Sequence, residues 1–127
     1  MEVKFYRCRH CGNVVVKTVD SGVPIECCGE PMEELKAQTM ETGMEKHVPA
    51  LERINDCTLR AMIGSEAHPM MPAHYIQFVY LLTDRGGTIV YLKPGDKPEV
   101  YFCCCKSKPL AVYEYCNVHG LWVCPID

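Results

Sequence analysis

Four cysteines near the start of the chain constrain its fold more than any other feature. They form Cys8-x2-Cys11 followed by the contiguous pair Cys27-Cys28. The segment that carries them, residues 1–36, is too short to bury a sufficient core, because chains below about 40 residues usually need a metal or disulfides to fold. Four thiolates on one ion would supply that stabilisation, and Gly12 suits the positive φ of a metal-binding turn. The pattern therefore predicts a small domain held by a four-sulfur metal site.

Spacing alone leaves the metal at this site open. A tetrahedral four-sulfur site accepts zinc or iron. A structural zinc ribbon normally repeats Cys-x2-Cys, whereas the second pair here is contiguous. Contiguous ligands distort the tetrahedron, which would matter little for zinc and could tune the reduction potential of an iron. We expect His10, inside the first pair, to face solvent or to lie beside the site rather than to be a fifth ligand.

Composition narrows the class of protein. The chain has ten cysteines in 127 residues and a net charge of −3. In a reducing compartment that cysteine count indicates metal or redox chemistry, whereas in a secreted chain it indicates disulfides. The first residues lack the apolar stretch of a secretory signal, so we expect a cytoplasmic protein. The acidic balance argues against nucleic-acid binding, and no apolar run is long enough for a membrane span.

A second metal site is predicted further along the chain. Its candidate ligands are four of the five histidines and one cysteine: His47, His68, His74, Cys116 and His119. His68 and His74 bracket a proline-containing loop, so their rings can converge. Four imidazoles and a thiolate exceed the usual complement of zinc. If the nitrogens form a square plane and the thiolate is axial, a sixth position stays open, and such a thiolate favours iron chemistry on oxygen species.

Copper is the alternative for the pair Cys116 and His119. Blue copper sites use two histidines and one cysteine, with a weak axial methionine. No methionine follows His119, and two further histidines would have no role. Iron is therefore preferred to copper at this site.

Short strands separated by turn residues predict a β-sandwich for the remainder of the chain. Residues 37–44 show no periodicity and are interpreted as a linker. Aromatic and β-branched runs then alternate with glycine and proline turns, as in the hairpin of strand 76–82, turn 84–87 and strand 88–92. Residues 57–62 fit a strand or a short helix, and a strand is preferred. Further strands are predicted over 100–105 and 110–115, and together this pattern is typical of a β-sandwich.

Three consecutive cysteines, Cys103–Cys105, lie at the end of a predicted strand. Successive side chains of a strand point to opposite faces, so the three thiols cannot join one buried cluster. We interpret them as buried small apolar residues plus one or two exposed thiols. Cys57 and Cys124 are interpreted as structural. A redox role or an extra metal site for Cys103–Cys105 is the less favoured alternative.

Taken together, these motifs resemble one known family. Cys8–Gly12 with Cys27–Gly29 resembles the desulforedoxin-like domain. The motifs that resemble the neelaredoxin-like domain are Glu45-Lys46-His47-Val48-Pro49, His68-Pro69-Met70, His74-Tyr75-Ile76 and Cys116–Trp122. The chain thus resembles the desulfoferrodoxin family, the two-iron class of superoxide reductases, over almost its whole length.

The resemblance implies a fold and a reaction. The fold is mainly β, with a desulforedoxin-like domain over residues 1–36, a linker over 37–44 and an immunoglobulin-like β-sandwich over 45–127. The reaction is the one-electron reduction of superoxide to hydrogen peroxide, which detoxifies reactive oxygen. The resemblance also implies a rubredoxin-like electron donor and a homodimer.

The resemblance further implies two irons per chain and a role for each site residue. Zinc is an alternative at the four-cysteine site. The first iron would be bound by Cys8, Cys11, Cys27 and Cys28. The catalytic iron would be bound in its plane by His47, His68, His74 and His119, and axially by Cys116. Glu45 matches a carboxylate that can take the sixth position of the oxidised site, and Lys46 matches a lysine that would attract the superoxide anion there.

Two positions depart from the common pattern of the family. Ala73 stands where many relatives have glutamate, and Phe78 where many have tryptophan. Neither position is a ligand, so these changes bear on the surroundings of the site and hence on rate and potential. Two other functions stay open on the sequence: an electron carrier that uses only the four-cysteine site, and a structural zinc-binding module.

Overall fold

The structure is a computed structural model that describes residues 2–39, 48–63 and 68–126. Every regular element in these ranges is a strand, which confirms the mainly β fold class. The chain divides into two compact units, Met1–Lys36 and Ala37–Asp127. Across the described ranges, no helix has the length and apolar content that crossing a membrane requires.

The first unit is built from very short strands. They are β1 (Phe5–Arg7), β2 (Val14–Val16), β3 (Glu26–Cys27), β4 (Glu30–Pro31) and β5 (Glu33–Glu34). A three-stranded sheet has the order β2-β1-β5, and β3 pairs with β4. Among the described residues of this unit, the buried apolar side chains are Phe5 and Cys8 alone. So small a core cannot by itself offset the conformational entropy that folding costs.

The second unit is a sandwich of two antiparallel sheets. Its strands are β6 (Pro49–Asn55), β7 (Thr58–Ile63), β8 (Ile76–Thr83), β9 (Gly86–Tyr91), β10 (Glu99–Cys103), β11 (Pro109–Cys116) and β12 (Gly120–Pro125). One sheet has the order β10-β7-β6 and the other β12-β11-β8-β9. Three strands facing four is the arrangement of immunoglobulin-like sandwiches, as expected. The segment predicted as a strand over 57–62 is confirmed for residues 58–62, which lie in β7, whereas Cys57 belongs to the turn before it.

The core of the second unit lies between its two sheets. One sheet contributes Leu59, Ala61, Ile63, Val100 and Phe102, and the other contributes Ile76, Val79, Leu81, Val112 and Cys116. Cys116, the last residue of β11, is fully buried. The thiol predicted to bind the second metal therefore sits at one end of the apolar interior.

Burial alternates along the cysteine run, which begins at the last residue of β10 and continues into the turn after it. Cys104 is buried in the core cluster, whereas Cys103 and Cys105 are exposed. The three side chains therefore do not join one buried cluster, as predicted.

Gln38, within the predicted linker, belongs to the second unit. Its N–H donates to the carbonyl of Leu121 at 2.9 Å, and its carbonyl accepts from the N–H of Val123 at 2.9 Å. It thus extends the sheet alongside β12. Residues 40–44 lie outside the described residues, and the linker assigned to 37–44 stays a prediction.

Candidate metal centres

The four cysteines of the first unit converge on one point. Their Sγ atoms all lie within 4.8 Å of one another. Cys11 and Cys27 are 3.5 Å apart at sulfur, and Cys27 and Cys28 are 4.0 Å apart. Four sulfurs bound about 2.3 Å from a central ion would lie about 3.8 Å from each other. The spacing therefore fits a tetrahedral ion held by Cys8, Cys11, Cys27 and Cys28.

Tight backbone turns position these sulfurs. The N–H of Gly12 donates to the carbonyl of Cys8 at 3.0 Å. Gly12 has a φ of 83°, the positive value expected for this metal-binding turn. Cys28 has a φ of 54° and is followed by Gly29 at 79°. A non-glycine residue in the left-handed region costs about 1 kcal/mol. This unusual conformation at Cys28 is how two contiguous cysteines both reach the same centre.

The electrostatics of the first centre require a cation. The backbone N–H of Cys11 is the main cause that lowers the pKa of the Cys8 thiol to about 6. The neighbouring Cys8 and Cys11 sulfurs raise the pKa of Cys28 to about 12. Sulfurs this close cannot all ionise in the absence of positive charge, whereas a bound metal ion makes each of them a thiolate.

His10 does not join the four sulfurs. Its Nε2 lies 3.0 Å from a carboxylate oxygen of Glu30, and its side chain is about half exposed. This agrees with the expectation that His10 lies beside the site rather than in it.

A second group of ligands converges at the end of the sandwich. One ligand atom each from His68, His74, Cys116 and His119 lies within 4.8 Å of the others. The ring centroids of His68 and His74 are 4.9 Å apart, and those of His74 and His119 are 5.0 Å apart. The structure thus brings together four of the five ligands predicted for this centre. The fifth, His47, lies outside the described residues, as do the candidate catalytic residues Glu45 and Lys46.

Two imidazoles of this group each have a ring nitrogen available to bind a metal ion. His68 Nδ1 lies 2.7 Å from the carbonyl of Pro69. Because a carbonyl only accepts, Nδ1 must carry the hydrogen, which leaves Nε2 in the form that binds metal. His74 Nε2 is buried and has no hydrogen-bond partner among the described residues. Buried polar atoms are rarely left unsatisfied, and a metal ion accounts for this one.

Burial varies steeply across the second centre. Cys116 and His68 are buried, His74 is partly buried and His119 is exposed. Burial is the main cause that raises the pKa of the Cys116 thiol above its ordinary value. A bound metal ion would reverse this and stabilise the thiolate. Among the described ligands, the sulfur is therefore enclosed and the side of His119 is exposed.

Asn117 fixes the position of the segment that carries His74. Its side-chain oxygen accepts from the N–H of Tyr75 at 2.9 Å, and its side-chain nitrogen donates to the carbonyl of Ala73 at 3.1 Å. It therefore forms hydrogen bonds with the residues on both sides of His74. Asn117 directly follows Cys116 in the chain. The sequence alone assigned no role to Asn117, which lies within the motif Cys116–Trp122. Its place between two candidate ligands was the signal for a positioning role.

Asn117→Ala should weaken metal binding at the second centre by about 10–100-fold, the usual effect of removing an outer partner of the ligands. Competition with a chelator would measure the affinity. Asn55→Ala is the matched control, because Asn55 makes a similar turn bond, to the N–H of Cys57 at 2.8 Å. Equal losses of affinity in the two variants would show that Asn117 contributes only general stability.

Glu114 is a second residue near this centre that the sequence reasoning missed. It is completely buried, and neither carboxylate oxygen has a hydrogen-bond partner in the described part of the chain. Loss of solvation raises its pKa well above the ordinary value, and its charge adds to the raised pKa of Cys116. The signal was present in the strand pattern, since a glutamate occupies the inward position between Val112 and Cys116.

The two departures from the family pattern lie close to the ligand-bearing segments. Phe78 is buried and stacks on Tyr115, with centroids 5.6 Å apart and rings 11° from parallel. Ala73 is exposed and offers its carbonyl to Asn117. Phe78 therefore fills space beside the strand that ends in Cys116, whereas the side chain of Ala73 adds no polar group to the site.

Comparison with known proteins places the chain among iron proteins. The family model described as desulfoferrodoxin matches residues 39–125. Desulfoferrodoxin from Nitratidesulfovibrio vulgaris is 40% identical over 121 residues, which cover 95% of this chain and 94% of the relative. The desulfoferrodoxin of Syntrophotalea carbinolica is 41% identical with the same coverage of both chains.

Solved structures agree with these sequence matches. The superoxide reductase of Treponema pallidum superposes with a TM-score of 0.82 at 30% identity, covering 97% of this chain and 98% of that one. The one-iron superoxide reductase of Giardia intestinalis covers 65% of this chain and 98% of its own, with a TM-score of 0.55 and 27% identity. Matched along both of its units, the chain belongs to the desulfoferrodoxin family.

Proposed function

We propose that this chain is a superoxide reductase, which adds one electron and two protons to superoxide and releases hydrogen peroxide. The observation that carries the proposal is the convergence of three imidazoles and a buried thiol, His68, His74, His119 and Cys116, on one point. This donor set occurs in a chain that matches a superoxide reductase of known structure along 97% of its length. An electron carrier would need only the four-cysteine centre, and a structural zinc module would need no solvent-open centre with four candidate histidine ligands.

The two ligand groups match the two iron sites of the family. The four-cysteine group has the donor type and spacing for iron, and it would also accept zinc. In the second group we propose His47 as the fifth ligand, beside His68, His74, His119 and Cys116. An iron held there would supply the electron that superoxide takes up, and the thiolate of Cys116 would increase its electron density.

The burial of the second centre fits this reaction. Cys116 is fully buried, so its sulfur is shielded from water and from oxidants. His119 is exposed, so within the described part of the chain a small anion can approach on that side. The chain therefore separates the electron-donating sulfur from the side on which substrate enters.

We assign the two catalytic roles to Glu45 and Lys46, supported by their place immediately before His47. A lysine at the open position raises the local concentration of superoxide. The same cation stabilises the charge that develops on the product and orders a water that delivers a proton. Glu45 would take the sixth position when the site is oxidised, which would protect it until the next reduction.

Lys46→Ala should slow the reaction with superoxide by about tenfold or more at low ionic strength, because an oppositely charged residue at the site steers the substrate. The variant should also lose most of the dependence of the rate on salt. Stopped-flow or pulse measurements of superoxide decay at several ionic strengths would test both effects. Lys108→Ala is the control, since Lys108 is an exposed lysine immediately before β11, at the opposite end of that strand from Cys116. Equal rates in the two variants would remove Lys46 from the mechanism.

The electron donor, the assembly and the compartment complete the proposal. A rubredoxin-like carrier suits a one-electron reaction, and Cys11 and Cys28 give the first centre exposed sulfurs at which such a carrier could dock. A homodimer is proposed on family resemblance. A cytoplasmic location is proposed because free metal-binding thiols persist in reducing compartments.

A further inference from the structure

A third group of sulfur atoms lies on the second unit, outside both metal centres. Cys57 and Cys105 form a disulfide. The Sγ of Cys103 lies 3.5 Å from the Sγ of Cys105, so the free thiol is in contact with the disulfide. Neither metal-ligand group identified in the described part of the chain includes any of the three.

This thiol group is well separated from the histidine–cysteine centre. Cys105 lies a few residues before β11 (Pro109–Cys116), and Cys116 is the last residue of that strand. A strand of eight residues extends about 26 Å. The three cysteines therefore lie towards the opposite end of the sandwich from Cys116.

The fold holds the three sulfurs together on one exposed side. The N–H of Cys104 donates to the carbonyl of Cys57 at 2.7 Å, which ties the end of β10 to the turn before β7. Cys104 itself is buried. Cys103 and Cys105, on either side of it in the chain, are exposed.

Cys103 and Cys105 line a surface cavity of about 660 Å³ together with Arg85, Lys106 and Ser107. The turn that carries Arg85 is fixed by hydrogen bonds of 2.7 and 3.0 Å between Asp84 and Lys108. Two cationic side chains in the cavity wall favour an anionic reactant.

We propose that Cys57, Cys103 and Cys105 form a thiol–disulfide exchange site for anionic low-molecular-weight thiols. In the internal step the Cys103 thiolate attacks the Cys105 sulfur, the Cys103–Cys105 bond forms, and the Cys57–Cys105 bond breaks with Cys57 leaving as a thiolate. No net oxidation or reduction occurs in this step. Two thiols from solution then reduce the disulfide: the first forms a mixed disulfide with Cys105, and the second releases it as the oxidised small-molecule dimer. Two electrons pass to the protein, and the two protein sulfurs end as thiols.

The proposed compartment strengthens this inference. In a reducing cytoplasm a persistent structural disulfide is rare, and those that form are usually transient and chemically active. The exchange itself does not depend on superoxide reduction. Its failure and the failure of the proposed function can therefore be told apart by separate measurements on the same preparation.

Disulfide mapping on the full, metal-loaded chain would test the proposal. The air-oxidised protein would be incubated with glutathione, quenched in acid, alkylated and analysed by mass spectrometry. We expect three species: the Cys57–Cys105 link, the Cys103–Cys105 link and a glutathione adduct on one of these three cysteines. Cys103→Ser should lose the Cys103–Cys105 link and keep superoxide reduction. Cys124→Ser, which removes a partly buried cysteine outside the cluster, should retain all three species.

Two results would overturn the proposal. One is complete alkylation of Cys57, Cys103 and Cys105 in the oxidised protein before any thiol is added. The other is a Cys57–Cys105 link that survives excess glutathione in the folded protein with neither exchange nor adduct.

A comparison with 2-mercaptoethanol tests the preference of the site for an anionic thiol. Glutathione should react faster than 2-mercaptoethanol, and Arg85→Ala should remove this difference in rate. Equal rates for the two thiols in the wild type would contradict an anion-selective site.

Discussion

Replacing Cys116 with serine should abolish superoxide reduction, while the four-cysteine centre should keep its metal and its visible absorption. Cys116 is fully buried at the end of β11, so no other group can take its place from solvent. A serine hydroxyl does not ionise as a thiol does and cannot donate electron density to iron as a thiolate does. We expect a fall in rate of more than about 100-fold, beyond the loss usual for removing a residue outside the ligand set.

Absorption spectra and superoxide decay rates on the same sample would check this result. Cys124→Ser is the matched control, because it removes one sulfur from the neighbouring strand β12 without touching the ligand group. Substantial activity in Cys116→Ser would show that the axial assignment is wrong. A parallel loss of activity in Cys124→Ser would show that the effect comes from disturbed packing.

Removing the metal from the first centre should unfold residues 2–36 and leave the second unit folded. The apolar side chains buried in the described part of this unit are Phe5 and Cys8 alone. A structural metal in a domain of this size contributes about 10–16 kcal/mol of binding free energy, which serves as folding free energy. Loss of the ion should therefore remove all hydrogen-exchange protection from β1, β2 and β5.

Cys8→Ser offers the same test without a chelator, because Cys8 is the buried member of the four. Hydrogen exchange followed by mass spectrometry would report on both units in one experiment, and strands β8 and β11 serve as the internal control. Retained protection in β1 after loss of the metal would mean that the short strands are stable by themselves.

Much of the candidate site was predictable because its signals are local. Cys8 and Cys11 share one turn, and Cys116 and His119 share another, so spacing alone pairs these ligands. His68 and His74 are joined by a short proline loop. Bringing the two histidine-containing segments together required only that β8 and β11 be neighbours, and Ile76 indeed lies opposite Cys116.

The features that the sequence did not predict depend on strand register, which no local pattern specifies. Cys57 and Cys105 are separated by 48 residues. They meet because Thr58 pairs with Cys103 across β7 and β10. A register shift of one residue would turn Cys103 inwards and separate it from Cys57 and Cys105. The hydrogen bonds of Asn117 to both sides of His74 likewise depend on how two loops meet.

Pulse radiolysis of the reduced, iron-loaded protein in a solution that contains dioxygen tests the central claim most directly, because it generates superoxide within the sample and follows its decay. We predict that superoxide decays at a rate proportional to protein concentration, that one hydrogen peroxide appears for each superoxide consumed, and that no dioxygen forms. Decay that does not depend on the protein, or decay that yields dioxygen and half as much peroxide, would contradict superoxide reduction by this chain.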